Sequence, residues 1–157
     1  MEMLKIKNYR FGFDWIGLAL FLTIMIPNFI WFAVPAPEDV LRSESVTGTV
    51  DRIGSVCQVL MVTSLCFIKN RNDPGLKASG RTAGTAACIL LYGICWLLYY
   101  LGKTGKAVLL GLAVFPCAAF LLYSWERKNY IAAVFAGAFS VCHLIYAFVN
   151  FVLRAEP

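Results

Sequence analysis

Charge is scarce in this chain. Asp, Glu, Lys and Arg make up 15% of its 157 residues, while 60% are hydrophobic. Soluble domains carry about a quarter charged residues, so this composition excludes an ordinary soluble globular class. The formal net charge is +5, but the lysines and arginines sit in short clusters between apolar blocks. No basic helical face is laid out for phosphates, and nucleic acid is not an expected partner. The six cysteines (Cys57, Cys66, Cys88, Cys95, Cys117 and Cys142) never form a C-x-x-C pair, and the polar connections hold none. That excludes a thiol oxidoreductase or zinc ribbon and leaves them as small hydrophobes, which set no redox compartment.

Histidine is nearly absent too. His143 stands alone, and one imidazole does not make a metal site; Cys142 beside it leaves the helix in a divergent direction. No metal and no cofactor are expected. No carboxylate falls in the middle of an apolar run, so the convergent ionisable groups an enzyme needs are missing, and an intramembrane enzyme is the least supported class. Gly102-Lys103-Thr104 evokes a phosphate-binding loop, but the required preceding glycine is Leu97 and no strand leads into it. There is no internal repeat and no low-complexity tract.

What the chain has is long apolar runs. Five of them, at about 13–34, 52–68, 83–101, 107–125 and 130–152, approach the ~20 residues that cross a bilayer core. The expected fold is all-α, a single polytopic bundle of five transmembrane helices, with the second span the shortest and most polar. The first run is too long for a signal-peptide core and lacks a small-residue cleavage site, so it reads as a retained span. It carries Pro27 and Asn28 near its middle. Proline cannot donate to the Thr23 carbonyl, so this span is expected to kink, with Pro27 as a hinge.

Lysine and arginine asymmetry sets the orientation. With the N-terminus inside, nine lie on inner segments (Lys5, Lys7, Arg10, Lys69, Arg71, Lys77, Arg81, Arg127 and Lys128) and five on outer ones (Arg42, Arg52, Lys103, Lys106 and Arg154). A plasma-membrane protein with N-terminus inside and C-terminus outside is expected. Asp14, beside Trp15, should be solvated at the inner interface. The outer segment 35–51 is acidic, and Pro37-Glu38-Asp39-Val40-Leu41 reads as the start of a short surface helix. Tight connections at 102–106 and 126–129 make spans three, four and five antiparallel neighbours.

Polar side chains within the spans are the functional pointers. Asp51, Ser55 and Gln58 share one face of span two, Tyr92, Trp96 and Tyr99 one face of span three, and Ser140, His143, Tyr146 and Asn150 one stripe of span five. Under the N-inside orientation Asn28, Gln58, Trp96, Tyr99, His143 and Asn150 fall at mid-depth or outward of it. They form the candidate ligand site, an outward-facing polar and aromatic pocket sealed towards the cytoplasm. The competing reading makes these groups helix-packing contacts that hydrogen-bond across neighbours. Small-residue spacings, Gly84-x-x-x-Cys88 and Ala133-x-x-x-Gly137, suggest close helix approach.

Five spans in 157 residues is a layout similar to that of the translocator-protein family in size and span count, and no binding residues carry over. Pro27-Asn28 resembles the Pro-Gln of small sugar transporters without their three-helix repeat. The expected function is binding or transport of a small neutral or cationic ligand. The alternative is a structural or regulatory membrane subunit with a membrane-protein partner. In both, the lipid bilayer is the surrounding partner.

Overall fold

A computed structural model describes residues 6–154; the first five residues, including Lys5 of the charge count, and the last three lie outside the described part. Five helices dominate: α1 (Trp15–Ala33), α2 (Gly48–Phe67), α3 (Gly80–Tyr100), α4 (Lys106–Glu126) and α5 (Tyr130–Phe148), which runs on as π-helix over Val149–Leu153. All five are long and apolar enough to cross a membrane. α2 is the least apolar, with a mean hydropathy of 1.4, but at 20 residues it is not the shortest; α1 and the α-helical part of α5 have 19. It gains its extra turn from Gly48–Asp51, a Gly-Thr-Val-Asp stretch that a hydropathy reading assigns to the connection.

α1 stays helical across Pro27. α4 is the centre of the bundle, with α3 and α5 packed on it and α2 packed on α5. It buries ten residues, among them Leu112, Cys117 and Phe120, and carries a second internal proline, Pro116. α1 lies at the margin, packed chiefly on α2 and α3, and buries only Gly17, Leu20 and Ile24. Close approach at two crossings depends on glycine. A Cβ on Gly17 would stand 3.1 Å from the Leu65 carbonyl oxygen, and one on Gly111 2.5 Å from Cys95 Sγ. Gly84 likewise faces Leu122, whereas Gly137 has open space beside it, so the Ala133–Gly137 spacing marks no tight crossing.

Each end of the bundle is closed by a different device. At one end a two-stranded antiparallel ribbon pairs β1 (Tyr9–Phe11) with β2 (Ile68–Asn70), in the register Tyr9↔Asn70, Arg10↔Lys69, Phe11↔Ile68. Its continuation, Gly12 and Asp14 N–H to the Phe67 and Cys66 carbonyls at 3.0 and 2.7 Å, leads the chain straight into α1. Asp14 is not solvated there but 5% exposed. It caps α1 through the N–H groups of Ile16 and Gly17, accepts from Tyr123 Oη at 3.0 Å and pairs with Arg127 Nη2 at 3.3 Å. Arg127 also pairs with Asp73 at 2.8 Å through the same Nη2, so two carboxylates share one nitrogen of a buried guanidinium. Asn129 caps α5 and donates to the Ser64 and Ile68 carbonyls. This ribbon end is stitched shut by buried polar contacts.

At the other end, residues 34–47 cross from α1 to α2. The short helix read from Pro37-Glu38-Asp39 is a single 3-10 turn, Val40–Arg42.

Candidate functional site

The 34–47 segment folds back over the bundle because its polar groups find partners on three helices. Asp39 is the anchor. Its Oδ1 accepts from Trp31 Nε1 at 2.8 Å and from Tyr99 Oη at 2.9 Å, and its Oδ2 pairs with Arg42 at 2.7 Å. Burial alone would raise this carboxyl, but the bonds from Trp31, Tyr99 and Arg42, with the Arg42 charge, outweigh it and hold the group below its usual value. Arg42 also lies over the Trp31 ring, 4.9 Å from its centroid, and donates to the Trp31 carbonyl. Leu41 N–H donates to Tyr99 Oη, and Tyr100 Oη donates to the Val34 carbonyl. Further along, Asn150 accepts from Val46 N–H and donates to Thr47 Oγ1, while Arg154 donates to the Glu44 carbonyl.

Beneath this cover lies a partly open cavity of about 400 Å³ to which all five helices contribute. Its lining places it in the half of the bundle nearest the cover: Asn28 from α1, Leu41 from the 3-10 turn, Gln58 from α2, Tyr92 and Trp96 from α3, Pro116 and Phe120 from α4, and Phe139, His143 and Tyr146 from α5. The wall is aromatic and aliphatic with few polar groups, the usual make-up of a small-molecule site.

Four of the six residues picked from the sequence meet here: Asn28, Gln58, Trp96 and His143. Tyr99 and Asn150 do not line the cavity. Tyr99 is fully buried and holds Asp39, and Asn150 fixes the start of α2. Both sit near helix ends, where the chain folding back takes up their hydrogen bonds. Asn28 Nδ2 donates to Tyr92 Oη at 2.8 Å and to the Ile24 carbonyl at 3.0 Å, which is helix-packing behaviour; its Oδ1 has no partner among the described residues. Gln58 and His143 differ. Among the described residues neither side chain makes a hydrogen bond, although His143 stacks between Phe139 and Tyr146. The indole of Trp96 stands edge-on to Tyr92, and its buried Nε1–H makes no well-formed hydrogen bond.

Tyr92 and Tyr146 belong to the site although they were singled out only as members of helical stripes. Pro116, Phe120 and Phe139 carry no polar signal that could have found them. A second cavity of about 270 Å³ adjoins the first between α2 and α5 and shares Gln58, Phe139, His143 and Tyr146 with it. The whole Asp51, Ser55, Gln58 stripe lines it. Among the described residues no three His, Cys, Asp or Glu side chains cluster as metal ligands. No protein-family model matches the sequence, and no solved structure matches the fold.

Proposed function

We propose that this chain is an integral protein of the plasma membrane, N-terminus inside and C-terminus outside, that binds or moves a small neutral or cationic ligand through the central cavity. On this reading the 34–47 cover faces outward and the stitched ribbon end faces the cytoplasm. The nine-to-five distribution of lysine and arginine supports that orientation. Pro27 beside the cavity supplies a bend or hinge where α1, the least buried helix, can move.

The observation that carries the reading is the state of Gln58 and His143. A side chain kept in a membrane bundle only for packing would bond a neighbouring helix, because an unpaired polar group in an apolar surround is costly. Both instead face a cavity with their hydrogen-bonding capacity unused. The test is labelling of single cysteines at 28, 58 and 143, in a background lacking the six native cysteines, with a membrane-impermeant thiol reagent. Reaction from outside at 58 and 143 is expected. No reaction from either side in a folded protein would favour the structural-subunit reading, and reaction only from inside would keep the cavity but invert the orientation.

A further inference from the structure

We propose, resting on the reading of the central cavity as a ligand site, that its ligand is an organic monocation, an ammonium centre carrying apolar groups, which reaches the cavity past Asp51. Two observations argue against the other charge classes in turn, and a third gives the route.

The first concerns the wall. Eight of the nineteen residues lining the main cavity are aromatic, among them Trp31, Tyr92, Trp96, Phe120, Phe139 and Tyr146. Ring faces carry negative quadrupole density and attract a cation, most strongly where water is excluded. An anion meets the opposite: repulsion from ring faces, and no lysine or arginine in the lining of either cavity.

The second concerns Asp51. It is the only charged residue lining the adjoining cavity. Its oxygens are oriented by hydroxyls, Ser45 Oγ at 2.6 Å and Thr47 Oγ1 at 2.9 Å. Among the described residues no lysine or arginine pairs with it. A carboxylate left without a counter-charge at the edge of a cavity focuses a negative potential into it, and that raises the local concentration of cations. A neutral ligand would have no use for it.

The third is continuity. Gln58, Phe139, His143 and Tyr146 form the wall common to both cavities. Asp51 and Gln58 lie on one face of α2, seven residues apart, so they are stacked along the path from the covered end into the bundle. A cation drawn to Asp51 needs only the aromatic and amide wall to shift to pass from carboxylate to rings. Tyr146 and Phe139, stacked on either side of His143, belong to the lining of both cavities at that step.

The test uses a matched pair. The benzyl(hydroxyethyl)dimethylammonium ion is compared with the uncharged alcohol in which carbon replaces its nitrogen, at free concentrations equalised by dialysis against the same detergent. The readout is the affinity obtained from the concentration dependence of the melting temperature. The cation is expected to bind about tenfold or more tightly, and Asp51→Asn to reduce that preference about threefold or more while leaving the alcohol unchanged. Equal affinities, or tighter binding of the alcohol, overturn the cation assignment and leave the cavity reading standing. If neither probe binds, the assignment falls, and the cavity reading is judged separately by cysteine labelling. A preference untouched by Asp51→Asn overturns the route past Asp51. Should that variant fail to fold, the wild-type comparison decides the charge class and Ser45→Ala, which frees the same carboxylate, decides the route by its effect on the cation alone.

Discussion

The indole nitrogen of Trp31 donates to Asp39 Oδ1 at 2.8 Å, and that bond ties the end of α1 to the segment covering the cavity. Tyr99 and Arg42 complete the set, so one carboxylate joins α1, α3 and the cover. Trp31 and Leu41 both line the cavity. Loosening Asp39 should therefore loosen the lid as a unit.

Asp39→Asn is expected to speed backbone hydrogen exchange in residues 34–47 roughly tenfold at neutral pH, as befits a weakened charge-assisted hydrogen bond. Exchange in α4 and α5 should not change. The pH dependence follows from the sign of the shift. The carboxyl is held below its usual value, so its contribution is complete above the unfolded value of about 4 and is lost as pH falls through the lower folded value. The wild-type lid should be insensitive to pH between about 5 and 8. Loosening across that window would count against Asp39 as the anchor.

The ribbon end gives a ranking rather than a single value. Arg127→Met leaves the Asp14 and Asp73 carboxylates facing each other without a cation, whereas Asp14→Asn leaves a one-to-one pair of Arg127 and Asp73 and keeps a competent cap on α1. Removing the cation from a buried cluster costs about 3–5 kcal/mol. The Asn variant should cost about 1–2 kcal/mol, on the scale of a lost charge-assisted hydrogen bond. Thermal or denaturant melting in detergent checks the order; equal effects, or the reverse, would show that Arg127 is not the keystone.

At the α3–α4 crossing, Gly111→Ala should destabilise by about 1–3 kcal/mol through overpacking. The nearest atom to the new methyl is Cys95 Sγ, at 2.5 Å. Adding Cys95→Ala removes that atom, so the double variant should recover much of the loss. Additive losses in a double-mutant cycle would place the strain elsewhere.

How far the sequence could be read depends on what each feature is made of. The five helices follow from apolar runs of spanning length, a local property. The ribbon does not, because Tyr9–Phe11 and Ile68–Asn70 are only three residues each and gain strand geometry only by pairing. Asp14 is illegible for a related reason: beside Trp15 it looks interfacial, and its burial is created by Tyr123 and Arg127, far along the chain. Within the candidate site, helical spacing put Gln58, Trp96 and His143 on inward faces. It could not separate the cavity from the cover, since Tyr99 and Asn150 share those stripes and differ only in what the connecting segment brings to them.

Pro27 separates two pictures of α1. The helix is continuous through it, yet the ring removes one hydrogen-bond donor and crowds the preceding turn. Pro27→Ala restores the donor and should straighten the helix. Spin labels at either end of α1 should then move apart by a few ångströms, on the order expected for removing a proline bend. An unchanged separation would remove the hinge from the account.

Filling the cavity is the most direct probe of whether it is an open space or an incidental gap. Ala113 and Ala147 are both buried and both line it, from α4 and α5. A phenylalanine at either position projects into about 400 Å³ of unoccupied volume, so little overpacking is expected, and stability should stay within about 1.5 kcal/mol of wild type. The consequence should appear at a distance from the substitution. A cysteine at position 143 that reacts with an impermeant reagent in the otherwise cysteine-free protein should react about tenfold more slowly in the Ala113→Phe background, because the reagent's path is filled while the helix carrying the thiol is unmoved. A loss of several kcal/mol would mean that the space is already packed. Unchanged reactivity with unchanged stability would mean that the thiol is reached from the Asp51 side alone, which would make the smaller cavity, not the central one, the route to His143.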